Sequence, residues 1–483
     1  MTETGMTEPG VAGAGGAGAA GTGGAGTGTA DAPAAAGRVV PLWRNYQFQV
    51  LWLGQSAATL GVSIADMAYP LTVLALTGSA ARAGLFGAVQ AAGALLAGLP
   101  GGQLADRLDW RRIVVAVEAG RAALTAAVIV ALVLGVLSLP LLLAAAALLG
   151  IGQSVSSSAR YLLVRSAVPP AQLTAALTQD EVRINGAALA GPPLGGGLYA
   201  IRALAHAVPF ACVAASFLLS MVTALLIRVR PDGGVPDSGA VPAAATATTM
   251  PEEPDVPPVP AGAVPGQRTG LAGKAAPAGK ASRAGGRLFA GVAALWRQPV
   301  LRAATVLLMI LNTIGAGLDL VVIVILRHQG VAPAMIGVAL GGGALGGLAG
   351  APLIRVLHRV RPGILLLGIC LLLAPAFALL AVPAGPYWAA GVLFVSMLGV
   401  PAIRVLMDVL VIRQAPAAER GRVIAAMLTL TGLGMPVGLA VSGLLLQYLP
   451  APVAMLTLAG VLLAGVCYCA RSAALRYARW PAA

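Results

Sequence analysis

The stretch "GGQLADRLDWRR", residues 101–112, holds Asp106, Arg107, Asp109, Arg111 and Arg112 close together. Long segments of Ala, Val, Leu and Gly with very little charge flank it on both sides. A chain that crosses a bilayer, turns in water and crosses back has this pattern, because a spanning helix needs about 20 apolar residues. Composition agrees. Of 483 residues, 58% are hydrophobic and 10% charged, against about a quarter charged in a soluble domain. The mean hydropathy is +0.88. Polar side chains are too few to cover a water-facing surface of this size. Aromatic residues are 4% of the chain, so the apolar mass is small and aliphatic, as suits helices packed on helices.

Working outward from the loop, apolar runs recur at 47–76, 81–105, 113–136, 139–160, 174–201 and 207–228. A second set lies at 301–326, 333–357, 363–383, 387–412, 423–448 and 452–471. The expected fold is all-α and integral to the membrane, with twelve transmembrane helices in two six-helix bundles. Residues 1–41 are Gly, Ala and Thr with a few acids; they cannot bury a core and read as a disordered cytoplasmic tail without the pattern of a signal peptide. The first bundle spans 42–229. Residues 230–286, with "PEEPDVPPVPAGAVPG" at 251–266, read as a disordered cytoplasmic linker. The second bundle spans 287–472, and 473–483 form a cytoplasmic tail. At its start, "RLFAGVAALWRQPVLR" (287–302) has apolar residues at helical spacing and reads as an amphipathic helix on the membrane surface.

The net charge of +14 does not point to nucleic acid, because the basic residues are scattered singly between apolar runs. They sort by loop instead. Arg38, Arg44, Arg107, Arg111, Arg112, Arg160, Arg165, Arg355, Arg359, Arg361, Arg413, Arg420 and Arg422 fall at one set of span ends. The alternate loops hold only Arg82, Arg202 and Arg327. Cytoplasmic loops carry the excess of Lys and Arg, which places both termini in the cytoplasm and the protein in the cell membrane. Cys212, Cys370, Cys467 and Cys469 all lie in apolar segments and read as small buried hydrophobes. The halves also show a weak repeat: Arg160 and Arg404, and Pro192 and Pro436, share the offset 244.

The loop at 101–112 needs more than arginines to fix topology. Gly102 lets a neighbouring helix approach, and Asp106 one turn later suits the positive end of that neighbour. Gly102, Asp106, Arg107, Arg111 and Arg112 together resemble the signature loop of the major facilitator superfamily, with Trp110 where a basic residue is usual. Asp109 after "DRL" is similar to the branch that holds bacterial macrolide-type and siderophore exporters. So are the opening "LWRNYQFQVLWLGQSAATLGVSIADMAYPLTVLALTGS" (42–79), "LAGPPLGGGL" in span five, "LWRQPVLR" (295–302) and "APAAERGRV" (415–423). The resemblance implies a major facilitator fold and a latch role for Asp106 and Arg107, joining the halves on the cytoplasmic side. The alternative is a loop that only sets topology. In span five, Gly191, Pro192, Gly195 and Gly196 resemble the motif of exporters in this superfamily, although Ala187 stands where a Gly is expected. A close helix contact is the simpler reading of that motif.

Ionisable groups inside spans are functional candidates by default. Asp66, near the middle of span one, and Asp319, in span seven, are candidates for proton coupling. Asp66 is alternatively an acid paired with Arg121 or Arg183. Glu118 and Arg121 are three apart and suited to pair, as are Arg404 and Asp408 at i, i+4. Gln55, Gln90, Asn185 and Asn312, with Arg404 and Asp408, are cavity-lining candidates, and Gln153 joins them. No phosphate loop, nucleophile elbow or metal-ligand spacing is visible, so neither an enzyme nor a cofactor is expected. The expectation is a monomeric secondary transporter in membrane lipid. It would exchange protons for a small amphipathic organic molecule, drug-like, macrolide-like or siderophore, and export it by alternating access. An importer of a small metabolite and a non-transporting sensor or scaffold are the alternatives.

Overall fold

Among the described residues, twelve helices of 12 residues or more follow one another along the chain, and their boundaries have local causes. In order they are α1 (Tyr46–Thr77), α2 (Ala80–Ala105), α3 (Trp110–Val133), α4 (Leu139–Ala167), α5 (Leu173–Ala200) and α6 (Val208–Leu226). The second set is α7 (Pro299–His328), α8 (Pro333–Gly350), α9 (Pro362–Leu380), α10 (Pro386–Met397), α11 (Arg420–Tyr448) and α12 (Ala451–Ala470). Asn45 caps α1 by accepting from the Phe48 amide at 3.2 Å, and Gly78 ends it in the left-handed conformation, which only glycine adopts without cost. Prolines open seven helices, α4, α6 to α10 and α12, where the missing amide costs nothing. A short helix over 290–297 precedes α7. Gly291 meets the backbone of Arg422 and Leu295 is fully buried, so this segment packs on α11 with one face.

This is a computed structural model, and it describes residues 44–105, 109–168, 172–201, 206–227, 290–353, 361–403, 406 and 420–472. The tails and the 230–286 linker lie outside the described residues, as do the loop at 354–360, Arg404 and Asp408. Pro41–Ala483 is one compact unit.

Among the described residues, eleven helices are long and apolar enough to cross a membrane. The twelfth, α5, is 28 residues long, but Asp180, Glu181 and Arg183 in its first half and Gly and Pro in its second lower its hydropathy. Its packing on α1 and α8 makes it part of the same bundle.

Helix neighbours repeat. Within the first six, α1 packs on α5 and α6, α2 on α4, and α3 on α4 and α6. Adding six to each number reproduces the second set: α7 on α11 and α12, α8 on α10, and α9 on α10 and α12. The halves meet through α2 with α11 and α5 with α8, two contacts that the same shift exchanges. Of the four cysteines, Cys370 and Cys469 are buried as expected, whereas Cys212 and Cys467 are exposed. On an apolar helix those exposed faces are the ones lipid covers, where a small hydrophobe is equally at home.

Candidate functional site

Polar side chains converge inside the first half, and each is placed by its helix. Glu118 and Arg121 stand one turn apart on α3, and both are buried. The Oε1 atom of Glu118 accepts from three donors: Ser156 Oγ at 2.6 Å, Arg160 at 2.7 Å and Arg121 at 3.3 Å. Arg160 also donates to Ser220 Oγ at 2.9 Å. One carboxylate therefore ties α3, α4 and α6 together. The Arg121 guanidinium lies 4.0 Å from the centroid of the Phe217 ring, a cation–π contact. Gly152 of α4 makes room for it, since a Cβ there would come within 3.1 Å of the Arg121 stem.

On α5, Arg183 pairs with Asp180 at 2.6 Å and donates to the Gln55 carbonyl at 2.9 Å and to Thr59 Oγ1. Trp52 Nε1 reaches the Gln179 carbonyl at 3.4 Å. These bonds join α1 to α5.

Asp66 and Asp319 occupy matched places. Each stands 20 residues into its helix (66 − 46 and 319 − 299), on α1 and α7, which the helix shift also pairs. Neither makes a hydrogen bond or salt bridge among the described residues, and both side chains are accessible. They come from different halves and lie within electrostatic range of each other, so they stand on facing sides of the two sets. Asp66 is also within electrostatic range of Arg121. Close by, Tyr69, Gln90, Arg121, Gln153 and Phe217 line a cavity of about 20 Å³, room for about one water. Tyr69 is held there by stacking on Phe86, with centroids 4.8 Å apart.

The other expected residues fall as follows. Gln90 and Gln153 line the cavity, while Gln55 is 4% exposed and its carbonyl is used by Arg183. Asn185 turns back to the Glu181 carbonyl at 2.8 Å. Asn312 donates to the Thr431 carbonyl at 3.4 Å, between α7 and α11. In the 101–112 loop, Asp106 and Arg107 lie outside the described residues, and Gly102 is in the last turn of α2. Asp109 caps α3 by accepting from the Arg111 amide at 3.0 Å. The Arg111 guanidinium donates to the Ala224 carbonyl at 3.0 Å and to the Leu225 carbonyl, at the negative end of α6. Arg112 pairs with Asp109 at 3.7 Å on the surface. Both arginines thus make their contacts within the first half. Sequence reasoning paired Glu118 with Arg121 but missed Arg160 as the closer partner, because 42 residues separate it from Glu118.

In span five the motif serves two neighbours at once. A Cβ at Gly191 would strike Ser63, and one at Gly195 would crowd Ile64 and Met67, all on α1. Gly196 meets Pro333 of α8, and the Pro192 carbonyl lies against Gly337. The second joint between the halves pairs Gly84 with Gly443 and Leu439, and there Ser79 Oγ donates to Gln447 Oε1 at 2.6 Å. Both joints lie towards the end that carries the 78–79, 329–332 and 449–450 connections. Further along the same helices Leu96, Val182, Leu348 and Leu428 are exposed.

Comparison with known proteins agrees with this architecture. A family profile described as Major Facilitator Superfamily matches residues 51–439, with a second match over 321–478. No curated protein matches the sequence. Among solved structures, a bacterial homologue of the human lysosomal transporter Spinster, inward-facing and unoccupied, is 14% identical with TM-score 0.62, covering 91% of this chain and 99% of that one. The nucleoside transporter NupG is 12% identical, TM-score 0.64, with 88% and 98% covered. A bacterial homologue of the iron transporter ferroportin, inward-facing, is 18% identical, TM-score 0.58, with 88% and 96% covered. At such identities the likeness concerns fold. The profile match over most of the chain, with two six-helix sets, establishes that the chain belongs to the major facilitator superfamily and is a multi-pass secondary transporter of that fold.

Proposed function

We propose that this transporter exports a small amphipathic organic molecule in exchange for protons, with Asp66 as the principal coupling carboxyl and Asp319 as its counterpart. One observation carries the reading: a carboxyl from each half, at the same depth of equivalent helices, stands on the side facing the other half, with no salt bridge to neutralise it among the described residues. Such a group in a membrane protein is costly unless its proton is part of the work. The apolar composition of the spans, 58% hydrophobic with 10% charged over the whole chain, supports a weakly charged, largely apolar cargo. The span-five glycines favour export through their resemblance to exporter sequences. Orientation with both termini in the cytoplasm follows from the arginine distribution. In that orientation the joined ends of α2 with α11 and of α5 with α8 face outward.

The test is retention of a panel of fluorescent dyes and macrolide-like compounds in efflux-deficient bacteria, with and without a protonophore. Wild type is expected to lower retention, and both the protonophore and Asp66→Asn to abolish the effect. Export that survives Asp66→Asn but not the protonophore would move coupling to Asp319. Unchanged retention of the whole panel would favour an importer.

A further inference from the structure

The small cavity inside the first half gathers hydrogen-bond donors that its own walls do not use. Tyr69 of α1, Gln90 of α2, Arg121 of α3, Gln153 of α4 and Phe217 of α6 line it, with aliphatic side chains between them. Small residues let these helices meet. A Cβ at Gly150 of α4 would strike the Gln90 carbonyl, and Gly152 leaves room for the Arg121 stem. Arg121 is 4% exposed, and its Nε atom is buried without a hydrogen-bond partner. The Tyr69 hydroxyl is also buried without one; Thr125, beside it, donates instead to the Arg121 carbonyl at 2.8 Å. Neither Gln90 nor Gln153 spends its side-chain amide on a hydrogen bond among the described residues.

The sign of the ligand follows from charge. Glu118 Oε1 holds Arg121 at 3.3 Å and Arg160 at 2.7 Å, so two guanidinium groups share one carboxylate and one positive charge is left over. Asp180 is taken by Arg183 at 2.6 Å. Asp66 and Asp319 form no ion pair with Arg121 among the described residues, and neither lines the cavity. An uncompensated charge inside a membrane protein is strongly destabilising. A water molecule would accept from Arg121 Nε–H but leave that charge standing, whereas an anion answers both needs. The guanidinium can only donate, while the Tyr69 hydroxyl and the two amides can each turn a donor inward. Size narrows the class. About 20 Å³ takes a single water-sized occupant, which admits a monatomic halide and excludes a carboxylate, phosphate or sulfate.

We propose that this cavity is a halide site. A chloride-sized anion is held by Arg121 Nε–H, the Tyr69 hydroxyl and the side-chain amides of Gln90 and Gln153, and it neutralises the arginine charge that Glu118 leaves over. The ion ties α1, α2, α3 and α4 together at one point. Its binding depends on neither the cargo nor the direction of transport.

The experiment titrates the full-length protein in nanodiscs with radiolabelled chloride, with sodium gluconate holding the ionic strength constant. Wild type is expected to saturate at a single ion per chain. Bromide should displace that ion, whereas sulfate, too large and too strongly hydrated for the cavity, should not. Tyr69→Phe and Gln153→Leu should each weaken binding about tenfold, because each removes one hydrogen bond to a charged partner. Arg121→Gln should abolish it, and if that variant fails to accumulate the other two still decide. Chloride should also raise the wild-type unfolding midpoint saturably, by about 2–4 °C at high occupancy. No saturable binding, with equal midpoints in chloride and gluconate, would overturn the proposal and leave water as the occupant. Saturable binding that the variants leave intact, or that sulfate displaces as well as bromide does, would put the ion elsewhere and overturn it equally.

Discussion

Glu118 is the residue on which the first half depends most. Replacing it with Gln leaves two buried guanidinium groups facing one amide, and breaking a buried pair typically costs about 3–5 kcal/mol. Glu118→Gln should therefore lower the unfolding midpoint far more than Asp66→Asn, whose carboxyl has no salt bridge to lose among the described residues. Thermal melts of the two variants in the same detergent check the order, and equal losses would contradict it. Gly152 offers a gentler probe. A methyl group there would press within 3.1 Å of the Arg121 stem, which is flexible and can yield. Gly152→Ala should keep the fold with only a small drop in the unfolding midpoint, and a loss as large as that of Glu118→Gln would contradict this. At this scale the sequence was partly legible. The spacing of Glu118 and Arg121 exposed their pairing, since three residues bring side chains to one face. The shorter bond to Arg160 was hidden, because nothing local brings α4 beside α3.

Among elements, α5 and α2 carry the joints between halves. Gly84 and Gly443 face each other so closely that a Cβ on either would fall under 3 Å from backbone atoms of the other helix. Backbone cannot give way as a flexible side chain does, so Gly84→Val should hold that end apart. Cysteine reagents should then label a reporter placed deep on α2 or α11 faster than in the parent protein; an unchanged labelling rate would refute this role of the joint. The GPPLGGG run was readable as a contact motif, because two prolines and four glycines in a span have few other uses. Which partner each residue takes was not readable. Gly191 and Gly195, four apart, serve α1, while Pro192 and Gly196, also four apart and one step round the helix, serve α8. A stripe rotated by one residue turns about 100° round the axis, and only the position of neighbouring helices says what it meets.

For the whole molecule, the repeat of neighbours under a shift of six describes two bundles built alike and joined twice. The Ser79–Gln447 bond closes one joint at its outermost point. In a background freed of Cys212, Cys370, Cys467 and Cys469, the pair Ser79→Cys and Gln447→Cys should cross-link under oxidation and stop transport. Reductant should restore it. Transport that continues in the cross-linked protein would mean that the halves need not part at this end. The hints of repetition in the sequence, the shared offset of Arg160 with Arg404 and Pro192 with Pro436, were slight. Internal similarity fades fastest in spans made mostly of interchangeable Ala, Val and Leu, whereas the packing pattern survives because helix length and loop length still constrain it.

The sequence by itself determined the class, the helical layout and most helix starts, and the superfamily; several helix ends differ, since the expected spans 333–357 and 387–412 give helices ending at Gly350 and Met397. Those properties rest on local quantities: hydropathy over a helix length, prolines at first turns, and where charge interrupts an apolar run. It also singled out Asp66 and Asp319, because an acid in such a run stands out without any structure. Only the tertiary structure decided that the two acids sit at the same depth on facing sides of the two sets. Likewise, it alone placed Glu118 between two arginines from different helices, and split the span-five motif between the halves. These facts depend on distances between segments far apart in the chain, and nothing in the local periodicity of one helix records which other helix lies against it.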